Sequence, residues 1–347
     1  MAYTTINKSS DYFNTKLYTG NGSTQSITGV GFQPDLVWIK SRSLANGHTV
    51  WDNIRGVTNW LTPNNTNAED TYSGGLTSFD SDGFSIGDGG DINTNSATQV
   101  SWNWLASNTT ASNTDGSITS TVSANTTSGF SIVKYTGNAT AGATIGHGLG
   151  AVPSFIVVKR IDGVSPWHTY HASLGNTQRM SLNETDATDS DSTAWNNTTP
   201  TSSVFTVGNS GTTNVNNADT LAYCFAEKKG FSKFGSYVGN GNADGTFVYT
   251  GFKPAFVMVK RSSNIESWQI TDHARDANVS PNFARLIANS SGAEATNTTW
   301  AKIEKFSNGF KLGGTDTVSN GSGSTYIYMA FAESPLVGTN NIPATAR

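Results

Sequence analysis

The chain has 347 residues, of which 13% are charged, and a formal net charge of −4. That length holds two or three ordinary domains, and the acidic balance offers no basic footprint for nucleic acid. Low charge would suit disorder, but 9 Trp, 11 Tyr and 17 Phe exclude it, since disordered chains lack aromatics.

Residues 1–15 read as a polar N-terminal arm with no later counterpart and no apolar core of a Sec signal peptide. The arm is expected to attach the protein to a larger particle. A first repeat follows over 16–107 and opens on Tyr18-Thr-Gly20-Asn21, a strand end running into turn residues. Tyr135-Thr-Gly137-Asn138 and Tyr237-Val-Gly239-Asn240 open a second repeat (129–230) and a third (231–334). Next come Pro34-Asp-Leu-Val-Trp-Ile-Lys40, Pro153-Ser-Phe-Ile-Val-Val-Lys159 and Pro254-Ala-Phe-Val-Met-Val-Lys260. Four apolar residues led in by Pro describe the central strand of a buried sheet, with the Lys expected to carry its charge to the rim.

Eight residues after each Lys stand His48, Trp167 and Trp268, and four further on Asp52, His171 and Asp272, with the alternation of a half-buried strand between them. Asn64, Asn183 and Asn289 follow, and then Gly- or Ser-bracketed strands around Phe84, Phe205 and Phe310. Each repeat closes on an alternating strand: Val100-Ser-Trp102-Asn-Trp104, Leu221-Ala-Tyr223-Cys-Phe225 and Ile327-Tyr-Met329-Ala-Phe331. Cys224, the one cysteine, is expected as a small buried side chain. Residues 108–128, rich in Ser, Thr and Asn, read as a linker that contributes an edge strand and tethers the first repeat loosely. Residues 335–347 read as an extended tail. The only helix candidate is a short piece over 276–287, and no apolar run nears the ~20 residues of a membrane span. Seven or eight short strands in each repeat predict an all-β fold of three tandem antiparallel β-sandwiches, jelly-roll-like.

With these anchors in place, the chain resembles a repeat domain of tail-fibre and other virion proteins of marine phages that infect cyanobacteria and Pelagibacter-like hosts. The matching stretches include Gly129-Phe-Ser-Ile-Val-Lys-Tyr-Thr-Gly137, Trp167-His-Thr-Tyr-His-Ala-Ser173 and Gly230-Phe-Ser-Lys-Phe-Gly-Ser-Tyr-Val-Gly-Asn240. The opening Ala2-Tyr-Thr-Thr-Ile-Asn-Lys-Ser-Ser-Asp-Tyr-Phe-Asn14 resembles the N-terminal module of such proteins. The resemblance implies a phage structural protein on the virion surface, made in the host cytoplasm, with other virion proteins as partners. It carries no catalytic residues.

The residues agree with a non-enzymatic reading. A catalytic carboxylate pair would not be triplicated as Asp52 and Asp272 and then varied to His171. His168 and His171, three apart on a strand, face opposite sides and cannot easily share a metal with each other. Asp80-Ser-Asp82-Gly83 and Asp186-Ala-Thr-Asp189-Ser-Asp191 have the composition of calcium loops but not the full ligand spacing, so no cofactor is expected, Ca2+ being the one candidate. Glycan or partner contact would use aromatics near loops. Trp51, Trp60, Trp167, Trp195, Trp268 and Trp300 are candidates for this role, and Trp60, Trp195, Trp167 and His171 are the expected contact residues. Trp102 and Trp104 are assigned to the core. Open sheet edges lead to a symmetric homo-oligomer, with a trimer as the first expectation. A tail-fibre or adhesin subunit touching host glycan is the leading function. The alternatives are a capsid decoration protein and, third, a carbohydrate-active tailspike.

Overall fold

The computed structural model describes residues 3–276, 283–296 and 302–338. It is an all-β structure in which each repeat forms one large and one small antiparallel sheet. In the first repeat the large sheet runs in the order Phe13–Thr19, Thr98–Trp104, Leu36–Ser41, Thr49–Asp52. Its small sheet joins Gln25–Thr28, Gly83–Ile86 and Leu76–Asp80. The third repeat repeats this order with Ser232–Val238, Thr325–Pro335, Phe252–Arg261 and Gln269–Asp272.

The four-residue apolar run explains the architecture. Side chains alternate across a strand, so each run serves two cores at once. Val37 and Ile39 meet the small sheet of their own repeat, as do Ile156 and Val158, and Val257 and Val259. The intervening Leu36 and Trp38, Phe155 and Val157, and Phe256 and Met258 all enter one further core that the three repeats share. The closing strands add Trp104, Phe225 and Phe331, whose rings touch in all three pairings at 6.4, 5.8 and 5.9 Å between centroids. At roughly 1.5–3 kcal/mol for each large apolar side chain buried, this shared core outweighs any surface ion pair.

Hydrogen bonds between repeats run in a closed cycle. Glu69 N–H donates to Ile161, Thr188 to Ser262 and Glu294 to Arg42 (2.8, 3.0 and 2.7 Å), which is first to second, second to third and third to first. Each donor lies five residues past its Asn anchor and each acceptor two residues past its Lys. A heterologous contact that closes after three steps defines a rotation axis, here a pseudo-threefold inside one chain.

Three expectations change. Residues 108–128 supply the expected edge pairing but are no loose tether: Ala111–Asn113 and Ser120–Asn125 are added to the edge of the second repeat's large sheet. The described part of the N-terminal arm packs onto the body of the same chain. Ile6 is buried in the shared core, Tyr3 Oη donates to the Gly251 carbonyl, and Lys229 lies over the Tyr3 ring. The strand lysines do not reach the rim. Lys40, Lys159 and Lys260 are at most 1% exposed, and each ammonium is wrapped by backbone carbonyls. Lys159 donates to Thr66 of the first repeat and Lys260 to Thr185 of the second. Burial lowers all three to about 8. Half of the short helix expected over 276–287 lies outside the described residues, and Leu286–Ile287 is a strand. Residues 339–347 of the expected tail also lie outside them.

Each repeat is pinned by a second triplicated asparagine that the sequence reading passed over. Asn93, Asn214 and Asn320 accept from the N–H of Asn21, Asn138 and Asn240 and donate to the carbonyls of Gly87, Gly208 and Gly314. A Cβ at Gly20, Gly137 or Gly239 would lie 2.3, 2.3 and 2.5 Å from a facing carbonyl oxygen, so the Tyr-x-Gly-Asn opening can hold no other residue at its Gly.

Candidate functional site

The ionisable groups with the strongest local environments lie in the seams between repeats, where the cycle fixes their partners. Asp52 is buried, pairs with Arg55 at 2.6 Å and accepts from Tyr223 Oη of the second repeat at 2.8 Å. Asp272 pairs with Arg275 at 2.6 Å and accepts from Trp102 Nε1 of the first repeat at 3.0 Å. Burial pushes the Asp272 carboxyl up, but Arg275 and Trp102 more than offset this and hold it below the usual carboxylate range. Glu69 completes the Arg55 cluster, and Glu294 serves both Arg275 and Arg42.

The third seam uses different chemistry. His171 stands where the others have Asp, Leu174 where they have Arg, and Met329 where they have Tyr223 or Trp102. A carboxylate here would have neither cation nor donor. Ser173 N–H donates to His171 Nδ1 at 3.1 Å, so the proton is on Nε2, 3.2 Å from the Tyr328 carbonyl of the third repeat. Burial lowers His171 to about 4, keeping it neutral.

His48, Trp167 and Trp268 form a second ring of bonds across the seams. Trp167 Nε1 donates to the Asn65 carbonyl and Trp268 Nε1 to that of Ser181, both at 3.0 Å. Trp38 Nε1 donates to His48 Nδ1 at 2.9 Å, so His48 Nε2 carries the proton and faces Ile287 of the third repeat at 3.0 Å. Their backbone N–H groups donate to Asn64, Asn183 and Asn289, at 2.7, 2.8 and 2.8 Å.

These bonds correct the expected contact residues. Trp167 and His171 are each 1% exposed and belong to the seams, and Trp195 is 1% exposed inside the second repeat's own core, against Tyr170. The sequence context of Trp195 looked like a loop because its helical turn, Ser192–Trp195, is only one turn long. Of the four, only Trp60 lines an open cleft. Trp300 lies outside the described residues.

That cleft recurs. In the first repeat it holds about 290 Å³ between Trp51, Trp60, Tyr72 and the segment from Gly89 to Ile92. In the second it holds about 540 Å³ and is lined by His168, Arg179, Asp189, Asp191, Ser210 and Thr212 among others. Strand pairing sets Trp60 opposite Asp70, and Arg179 opposite Asp189, so the two positions correspond. Counting from Asn93 and Asn214, Asp91 corresponds to Thr212. One cleft is therefore walled by aromatic rings, and the other by an arginine held between Asp191 at 2.7 Å and Asp189 at 3.0 Å. Burial and the nearby Arg179 lower His168 to about 4.

Four carboxylates of the two suspected calcium loops, those of Asp80, Asp82, Asp189 and Asp191, have protein partners. Asp80 accepts from Ser78 and Ser85, Asp82 from the Gly29 and Gly31 N–H groups, and Asp191 from Thr193 N–H. Among the described residues no three His, Cys, Asp or Glu side chains are grouped as metal ligands, and no helix is long and apolar enough to cross a membrane.

A family model described as "Domain of unknown function (DUF7483)" matches residues 8–335. No curated protein and no solved structure matches the chain.

Proposed function

The chain belongs to the DUF7483 family, and on that premise we propose that it is a non-enzymatic structural protein of a phage particle, a tail-fibre or adhesin subunit that touches the host surface. The observation that carries this reading is the cyclic seam. Asp52, Asp272, His48, His171, Lys159 and Lys260 are each bonded across a boundary between repeats, and Lys40 is closed off by the Ser41 and Leu44 carbonyls of its own repeat, which leaves them holding the body together rather than facing a substrate. What remains at the surface is a low-charge exterior rich in Ser, Thr and Asn, suited to neutral or variable partners such as cell-surface glycans and neighbouring virion proteins.

The built-in threefold favours a second reading, a capsid decoration protein, because a single chain with pseudo-threefold symmetry suits a threefold position on a shell. Gold-labelled antibody on intact particles separates the two. Label at the tail supports the adhesin, label over the head supports decoration, and bare particles overturn both. Incubation with host envelope polysaccharide is expected to release no reducing ends; their release would establish a carbohydrate-active tailspike instead.

A further inference from the structure

We propose that the cleft of the first repeat binds a neutral sugar ring, stacked on Trp60 and Tyr72, with Asp91 accepting from its hydroxyl groups. The inference rests on the host-contact reading and narrows it to one surface and one ligand class. At about 290 Å³ the cleft lies at the lower end of the ~300–1,000 Å³ span of small-ligand sites, enough for a ring or two and too little for a folded partner.

The lining has the two kinds of group that a sugar needs. Aromatic faces accept the C–H side of a pyranose, and a few fixed polar groups orient its hydroxyls. Trp60 is half-buried, Tyr72 is 44% exposed at the mouth, and its hydroxyl donates to Asp88 at 3.3 Å. Thr49 and the exposed Asp91 supply oxygen atoms, with the Asp91 carbonyl 3.3 Å from Asn46 Nδ2. The Trp60 indole N–H is buried with no acceptor in the protein.

The second repeat is the internal control. At the Trp60 position it has Arg179, neutralised by Asp189 and Asp191, and the latter stands at the Tyr72 position. A merely structural wall is thus available to this fold without aromatics, whereas the first repeat has two rings left partly uncovered. Gly90 adds a handle for testing, since a Cβ there would meet nothing within 4 Å.

The test is calorimetric and fluorescence titration of the full chain with glucose, galactose, mannose, N-acetylglucosamine and short neutral oligomers of each. Saturable binding of at least one is expected, with Kd on the order of 1 mM for a single ring and a change in tryptophan emission. Gly90→Leu, which fills the cleft, and Trp60→Arg, which installs the second repeat's residue, are each expected to weaken binding at least tenfold, whereas Thr212→Leu in the second cleft leaves it unchanged. No saturable binding across the panel overturns the proposal. So does affinity indifferent to Gly90→Leu in a variant that melts normally, or a preference for anionic sugars. A protein found on particles that binds no sugar would sink this inference alone; a sugar binder missing from particles would sink only the virion reading.

Discussion

Two seams of this molecule hold a buried carboxylate and one does not, although all three occupy equivalent places. Around Asp52 and Asp272 a buried carboxylate is matched by an arginine three residues on and by an aromatic donor from the neighbouring repeat. Around His171 all three members change together, to His, Leu174 and Met329. The difference teaches that the members form a set. A buried charge is tolerated only when every partner is present, and where one is lost the arrangement returns to neutral groups.

The largest effect is expected when the third seam is given the carboxylate without its two partners. His171→Asp places a carboxylate against Met329 and the Tyr328 carbonyl, and should lower the free energy of unfolding by about 3–5 kcal/mol in urea titration. Adding Leu174→Arg and Met329→Tyr, which recreates the Asp52 arrangement, should recover at least half of that loss. Failure of the triple variant to exceed the single one would mean that the three positions act independently. The converse change, Asp272→Asn, leaves Arg275 facing Glu294 without its nearer partner and should cost roughly 3 kcal/mol.

Acid should separate the seams further. His48 is lowered to about 3, and His168 and His171 to about 4, chiefly by burial, while unfolded histidine titrates near 6.5. As pH falls from 6.5 towards 4 the unfolded chain takes up protons that the folded one refuses, so stability is lost across that window. Asp35, pushed up to about 6 by burial, works in the opposite sense and blunts the slope. His171→Gln should therefore give a shallower dependence of melting temperature on pH between 4 and 6.5. The buried lysines set a second window. With folded values near 8 against 10.5 unfolded, stability should rise as pH increases from 8 to 10, and Lys159→Met should flatten that rise.

The smallest effect is the most even. Asn64, Asn183 and Asn289 each accept one backbone N–H at 2.7–2.8 Å. Substitution by Ala should cost about 1–2 kcal/mol at each of the three, measured by the same unfolding titrations. A markedly unequal result would show that the repeats are less alike than their geometry.

Much of this was open to reading because repetition in sequence becomes repetition in strands. Pro34 and Pro153 lead in their central strands, Pro254 sits at a register shift within its own, the closing strands carry Trp104, Phe225 and Phe331, and the all-β architecture follows. What stayed hidden was the second face of those strands. An unbroken apolar run states that both faces are covered but not by what, so Leu36 and Phe155 gave no sign that they meet. The same blindness hid the lysines, whose carbonyl partners are scattered along the chain, and misplaced Trp167 and His171. Trp60 was legible as an aromatic near a loop; its cleft was not, since Tyr72 and Asp91 reach it only through the fold.

The closed ring has a consequence for how the molecule is made. Trp104 leaves the ribosome long before Phe331, so one side of the aromatic triangle must wait in water, or under a chaperone, for its last member. A chain cut short after the second unit would keep that vacancy, and the third unit of another molecule would fit it. Nascent or nicked copies should then exchange units, a route to tangled assemblies that the finished ring forecloses.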